Sequence, residues 1–327
     1  MAFLPKLDNT GISVINDTHH HYTKLMQSLT QEHIVAGSAL IVEGGGQRGI
    51  FGAGILDSWL KANFNPFQLL IGTSAGAQNI SAYLAGQHGY AKQCIQILSR
   101  DKHFFNVSRR LIGKSMLDLD WYFAQTKQKG MGLDLQQASR NSLDRHVLFT
   151  ATRATGLIAE YHQPQIHNWF DILKASSALP FLYSHDAMLS GRKYFDGGVA
   201  APLPVKKAYE LGARKIVVIR STHAQYQAHL PALHHLKEWF CQHGSCPAPI
   251  DLLDLHEQNY RSELEFINHK PHDAEIIQIF PTKALESSLI GSHLPQLERD
   301  YQHGASVGKL ALKQLKHQFT ATMKFSA

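Results

Sequence analysis

Between Ser38 and Ile219 the chain alternates short, wholly apolar runs with longer mixed stretches. Ala39-Leu40-Ile41-Val42, Leu69-Leu70-Ile71 and Ile216-Val217-Val218-Ile219 are apolar at successive positions rather than at every second one. Such a run reads as a strand covered on both faces, and such strands belong to parallel sheets held between helix layers. The pattern predicts strands at 39–43, 67–71, 146–152 and 215–219. A turn at Thr155-Gly156 sends Leu157–Tyr161 back antiparallel. Apolar Ile50, Phe51, Ile55, Leu56, Trp59 and Leu60 predict a helix over 50–62, and another helix starts at Ala75. The fold class expected is α/β, with a central, mainly parallel sheet and helices on both faces.

Two stretches break the rhythm. Residues 99–142 mix cations with aromatics (Arg100, Lys102, Phe104, Phe105, Arg109, Lys114, Trp121, Tyr122) and predict a helical insertion over the sheet. That composition suits an interfacial lid in peripheral contact with a membrane, and equally a layer with its aromatics inside and its cations in water. Beyond 221 the chain turns to His, Pro and amphipathic helix, with one late strand at Glu275–Phe280. A last helix spans about 294–320, with Gly304 and Gly308 expected to interrupt it. The expected organisation is an arm with one helix at 1–37, an α/β domain at 38–220, and a C-terminal helical region at 221–327. No linker decides whether that last region is a lobe or part of the same fold.

At 327 residues with a formal charge of +6, the chain suits one large domain or two, with a surface that favours anionic partners. No groove-reading or RNA-stacking motif is found, so nucleic acid is not an expected partner. Cys94, Cys241 and Cys246 cannot all pair within one chain and read as reduced thiols. No secretory pattern opens the chain, and no run nears the roughly 18 apolar residues of a membrane span. A cytoplasmic location, peripheral at most to the inner membrane surface, is expected. His19-His20-His21 and the pair Cys241 and Cys246 lack the spacing of a zinc site, so neither metal nor cofactor is expected. Oligomeric state is left open.

The candidate chemistry lies in two glycine-framed turns. Gly72-Thr73-Ser74-Ala75-Gly76 follows the second strand and opens the next helix, the form of a nucleophile elbow that lifts a serine hydroxyl clear of the backbone. Gly44-Gly45-Gly46-Gln47-Arg48-Gly49 follows the first strand and offers a row of N–H groups where an oxyanion would be stabilised. The turn Gly44–Gly49 also satisfies G-x-G-x-x-G. A dinucleotide site, however, would require an acidic residue at the end of the next strand, where Gly72-Thr73-Ser74 stands instead. A serine needs a base. With 21 histidines a Ser-His-Asp triad stays open by inventory. Asp196-Gly197-Gly198, after the short strand-like Lys193-Tyr194-Phe195, reads either as a carboxylate aimed into a cavity or as a hairpin turn.

Four segments in order resemble the patatin-like phospholipase family: 44–49, 72–76, Ala175-Ser176-Ser177-Ala178-Leu179-Pro180, and Asp196-Gly197-Gly198. The likeness spans about residues 38–220 and is nearest to bacterial cytoplasmic members with an extra C-terminal region. It implies a patatin-type three-layer sandwich and a Ser-Asp dyad without histidine. By that resemblance Ser74 is the nucleophile and Asp196 the base. Gly44, Gly45, Gly46, Arg48 and Gly49 form the oxyanion hole. Gly72, Gly76, Gly197, Gly198 and Pro180 support the elbow and the site wall. The position before Gly44 is Glu43, where the family commonly has aspartate. The implied activity is hydrolysis of fatty-acyl esters of phospholipids or lysophospholipids. A carboxylesterase or thioesterase acting on soluble esters, and a non-enzymatic lipid-binding protein, are the rival readings.

Overall fold

The computed structural model describes residues 34–223 and 248–324. Residues 1–33 of the expected arm, with the histidine cluster at 19–21, and Cys241 and Cys246 lie outside the described residues, whereas 35–37, expected in the arm, belong to the first strand. Strand β1 (Val35–Val42) leads into helix α1 (Ile50–Leu60), and β2 (Phe67–Thr73) leads into α2 (Ala75–Leu84). The insertion holds short helices α3 (Tyr90–Gln96), α4 (Leu119–Gln125) and α5 (Leu135–Arg140). Next come β3 (His146–Arg153), β4 (Ile158–His162), α6 (Trp169–Ser176), β5 (Ala187–Leu189) and β6 (Arg192–Asp196). Helix α7 (Val205–Glu210), β7 (Lys215–Ile219), α8 (Ala248–Asn268), β8 (Glu275–Ile279) and α9 (Leu294–Lys324) complete the order. Strand β1 starts three residues before Ser38. Gly37, at φ +70°, lies where the β1–β2 register shifts, and this irregularity hides the strand's start from the apolar pattern.

The strands form one sheet in the order β5-β6-β3-β2-β1-β7-β8, with β4 also on β3. The neighbours β3-β2-β1-β7-β8 are parallel, and β4, β5 and β6 are antiparallel to their neighbours. Side chains alternate between two cores, as strand pleating requires. Leu40, Val42 and Leu70 join α1, α2, α6 and α9 on one face. Ala39, Ile41, Ile71, Ile216 and Val218 join α7 and α8 on the other.

The sheet's pairing brings two distant segments together. Residues 146–150 of β3 pair with β2, and residues 151–153 pair with β6. Strand β4 overlaps both sets of β3 residues. A strand has two edges, so β2 and β6 share the edge that β4 does not occupy. They meet there end to end, with Thr73 opposite Thr150 and Asp196 opposite Ala151.

The expected break in the last helix does not occur: α9 runs unbroken through Gly304 and Gly308. Both glycines face α1, where a Cβ at Gly304 would strike the Phe51 carbonyl and one at Gly308 the Ser58 hydroxyl. Their smallness permits a close helix crossing, and that contact outweighs their weak helix propensity. Trp59 Nε1 donates to the Gly308 carbonyl at 3.0 Å across the crossing.

Candidate active site

The turn from β2 to α2 holds Ser74 at φ 53° and ψ −122°, a backbone conformation that L-residues rarely adopt. Such strain costs of the order of 1–3 kcal/mol and persists only where neighbours enforce it. Two neighbours do so through close approach. A Cβ at Gly72 would sit 2.6 Å from Ala77 Cα of α2, and one at Gly76 would run into the Val42 carbonyl of β1. A third, Ser176 Oγ at the end of α6, accepts the Ser74 N–H at 2.9 Å.

Ser74 Oγ donates to Asp196 Oδ2 at 2.6 Å. The second carboxylate oxygen, Oδ1, accepts the Gly198 N–H at 2.7 Å, so the Asp-Gly-Gly sequence folds its own backbone onto the acid. Asp196 is 3 % exposed. Burial pushes its carboxyl up to about 6, against the pull of the Ser74 and Gly198 hydrogen bonds. The surrounding backbone is fixed from three sides. Asp196 N donates to the Ala178 carbonyl and Gly197 N to that of Ser176, which is how segment 175–180 bears on the acid. Thr152 Oγ1 donates to the Asp196 carbonyl, and Thr150 Oγ1 donates to Thr73 Oγ1. A side chain on Gly197 would collide with Thr150. Pro180 is separated from β6 by β5, and its neighbour Leu179 lines the pocket.

The glycine turn winds as one 3₁₀ turn (Gly46–Gly49) into α1. Among the described residues, the N–H groups of Gly44, Gly45 and Gly46 have no protein acceptor. A Cβ at Gly44 would touch Thr73 O and Ser74 Cβ, so the turn packs on the elbow at Gly44, and Gly46 lines the same pocket as Ser74. The Arg48 N–H is committed to the Gly45 carbonyl at 3.1 Å. Its side chain lies over Gly45, with Nε buried and without a partner among the described residues. Gly49 packs against Ala75, and its carbonyl accepts from Asn79 Nδ2. Glu43 is buried beneath the turn and accepts the Ser221 N–H at 2.7 Å. Desolvation raises its pKa against the lowering influence of Arg220 and Arg48.

A pocket of about 860 Å³, its open mouth included, extends from Ser74 and Gly46. Leu117, Leu119, Tyr122 and Phe123 of the insertion form one wall, and Phe170 and Leu173 of α6 form another. The insertion thus has two faces, with Leu117, Leu119, Tyr122 and Phe123 buried and Val107, Leu111 and Ile112 exposed. Cys94 also lines the pocket, and burial pushes its thiol up to about 11, so it stays neutral.

Five residues have contributions that the sequence reading did not assign. The Ser176 hydroxyl stood inside a quoted motif without an assigned partner. The Ala75 N–H, at the N-terminus of α2, also has no protein acceptor among the described residues; a helix start directly after the serine was the available signal. Gln47 was the one uncharged polar side chain in the glycine turn. Leu289 and Ile290, more than 200 residues downstream of the elbow, also line the pocket, and nothing local in the sequence marks them. Among the described residues, no group of three or more His, Cys, Asp or Glu side chains is placed to hold a metal ion, and no helix is long and apolar enough to cross a membrane.

Residues 40–209 match the family model for patatin-like phospholipases, and residues 246–320 match a domain of unknown function, DUF6363. The uncharacterized protein YjjU of Escherichia coli (strain K12) is 38% identical over 275 residues, which cover 84% of this chain and 76% of that protein. Two solved structures are similar at a distance. VipD of Legionella pneumophila has TM-score 0.42 and 14% identity, covering 87% of this chain and 67% of that one. Human GIVD cytosolic phospholipase A2, in complex with a methyl γ-linolenyl fluorophosphonate inhibitor, has TM-score 0.44 and 11% identity, covering 92% and 62%. With both TM-scores this low, identity rests on the family match and the bacterial relative.

Proposed function

This chain belongs to the patatin-like phospholipase family, and we propose that it hydrolyses fatty-acyl esters of phospholipids or lysophospholipids with Ser74 as nucleophile and Asp196 as base. The observation that carries the reading is the 2.6 Å hydrogen bond from Ser74 Oγ to a buried carboxylate, at the mouth of a pocket walled by apolar side chains. Asp196 takes the Ser74 proton as the hydroxyl adds to the acyl carbonyl. The resulting oxyanion is held by the N–H groups of Gly45, Gly46 and Ala75, donors already free of internal partners. The alcohol leaves with the proton from Asp196, giving an acyl-Ser74 ester. Water, deprotonated by the same carboxylate, then releases the fatty acid and restores the serine.

A carboxylate with a pKa near 6 suits this work better than an ordinary aspartate, because it is ionised at neutral pH yet basic enough to accept a proton. The apolar walls favour a long acyl chain over the small soluble ester of the rival reading. We also assign the exposed tip of the insertion to peripheral contact with an anionic lipid surface on the cytoplasmic side. Val107, Leu111 and Ile112 are 61%, 88% and 68% exposed, and residues 102–117 contain four Lys or Arg and no acid.

The test is mass spectrometry after exposure to an alkyl fluorophosphonate, coupled with turnover of lysophospholipid. Labelling confined to Ser74, lost in Ser74→Ala and much slowed in Asp196→Asn, is the expected result. A folded protein that is neither labelled nor active on any acyl ester would move the lipid-binding reading to the front.

A further inference from the structure

The segment 280–293 joins β8 to α9 without regular secondary structure, so its position is imposed by what holds it. Asp300 of α9, 2 % exposed, accepts Ser287 N at 2.8 Å, Ser287 Oγ at 2.6 Å and Glu286 N at 3.3 Å. Ser288 N donates to Ser292 Oγ at 2.9 Å, closing the loop on itself. Between those anchors the strap crosses the glycine turn. Gln47 N donates to the Leu289 carbonyl at 3.0 Å, and Ser292 N donates to Gln47 Oε1 at 2.8 Å. Gln47 Nε2 reaches Ser99, to its Oγ at 3.0 Å and to its carbonyl at 3.1 Å. One glutamine therefore joins the strap, the turn and the root of the insertion. Gly46 is packed so closely on the strap that a Cβ there would run into the Leu289 carbonyl.

We propose that this strap, in the region matched by a domain of unknown function, selects the acyl chain: Leu289 and Ile290 are specificity-determining walls of the pocket, and Leu289's backbone positions the turn that faces Ser74. The proposal rests on the acyl-ester reading above for its substrate class. Three observations carry it. Leu289 and Ile290 line the same pocket as Ser74. Ile290, like Leu285 of the same segment, packs against the main core, so it is a fixed wall rather than a loose cover. The peptide that presents Leu289 is hydrogen-bonded to the donor turn itself, so pocket shape and turn geometry are set by one segment.

The experiment compares butyrate, laurate and palmitate esters in the full-length protein carrying Ile290→Trp or Ile290→Ala. Ile290→Trp fills the wall and lowers the laurate-to-butyrate ratio of kcat/KM by about tenfold or more. Ile290→Ala vacates it and raises the palmitate-to-laurate ratio, and carries the test alone if the tryptophan variant fails to fold. A second readout is displacement of a fluorescent fatty acid from the same variants built on Ser74→Ala, which needs no turnover. If the wild type cleaves esters and both variants keep its chain-length ratios, the strap proposal is overturned while the hydrolase reading stands. If the wild type binds fatty acid but cleaves no ester, the hydrolase reading falls, and weakened binding in Ile290→Trp still supports the strap as the wall.

Discussion

The Ser176 hydroxyl accepts the backbone N–H of Ser74 at 2.9 Å, across 102 residues of chain. It satisfies a buried donor whose peptide is turned into a rarely populated conformation. Removing the acceptor would leave that N–H buried and unpaired, a cost of about 1–3 kcal/mol. Ser176→Ala is therefore expected to lower the unfolding free energy read from urea titration by that amount and to slow fluorophosphonate labelling of Ser74. Unchanged values for both would show that the elbow holds its shape without this bond.

The acid side of activity should report Asp196. Its folded pKa near 6 against an ordinary 3.8 means that kcat/KM on a soluble ester climbs as pH rises through about 6 and then levels. A profile flat down to about pH 4 would remove Asp196 from the base role.

The same shift has a stability sign. Burial favours the neutral acid, so this group's contribution to stability is greatest below its unfolded pKa and is lost as pH rises through the folded value of about 6. Asp196→Asn, always neutral, is expected to be more stable than wild type at about pH 8, by about 2–3 kcal/mol, and to lose that advantage near pH 4. Thermal melts at the two pH values provide the check.

Gly76→Ala should be among the most damaging single-methyl additions to the chain. The new Cβ meets the carbonyls of Val42 and Glu43, backbone atoms at the end of a central strand and just beyond it. A loss of about 3 kcal/mol or more is expected, read by chemical denaturation.

Leu111→Asp combined with Ile112→Asp tests the exposed tip. Sedimentation with anionic phosphatidylglycerol vesicles should weaken by about tenfold or more, since each change removes a side chain whose burial is worth about 1.5–3 kcal/mol. Cleavage of a monomeric ester should fall far less. Equal vesicle binding by the double variant would move the membrane contact elsewhere.

The sequence displayed the parallel core because Leu40, Ile71 and Val217 sit in runs that only a doubly covered strand explains. It displayed the serine turn because Gly72 and Gly76 frame the serine within five residues, although the collision that requires Gly76 is with the distant Val42. It left Asp196 ambiguous between an acid and a hairpin turn, because the deciding fact is non-local: β2 and β6 abut on one edge of β3. Gly304 and Gly308 misled for a related reason. Helix propensity is local, whereas the close crossing they permit depends on Phe51 and Ser58, about 250 positions earlier. Leu289 and Ile290 had no signal at all, since a strap without regular structure has no period to read.

The joint between Ser292 and Gln47 spans 245 positions, and this has a consequence in time as well as in space. During synthesis the ribosome delivers the elbow and Asp196 long before it delivers the strap. A nascent chain of about 220 residues already holds the serine and its acid, yet its glycine turn has no carbonyl to fasten Gln47 and its pocket lacks a side. Under the proposed reaction, a complete site is therefore available only after the strap and α9 have emerged.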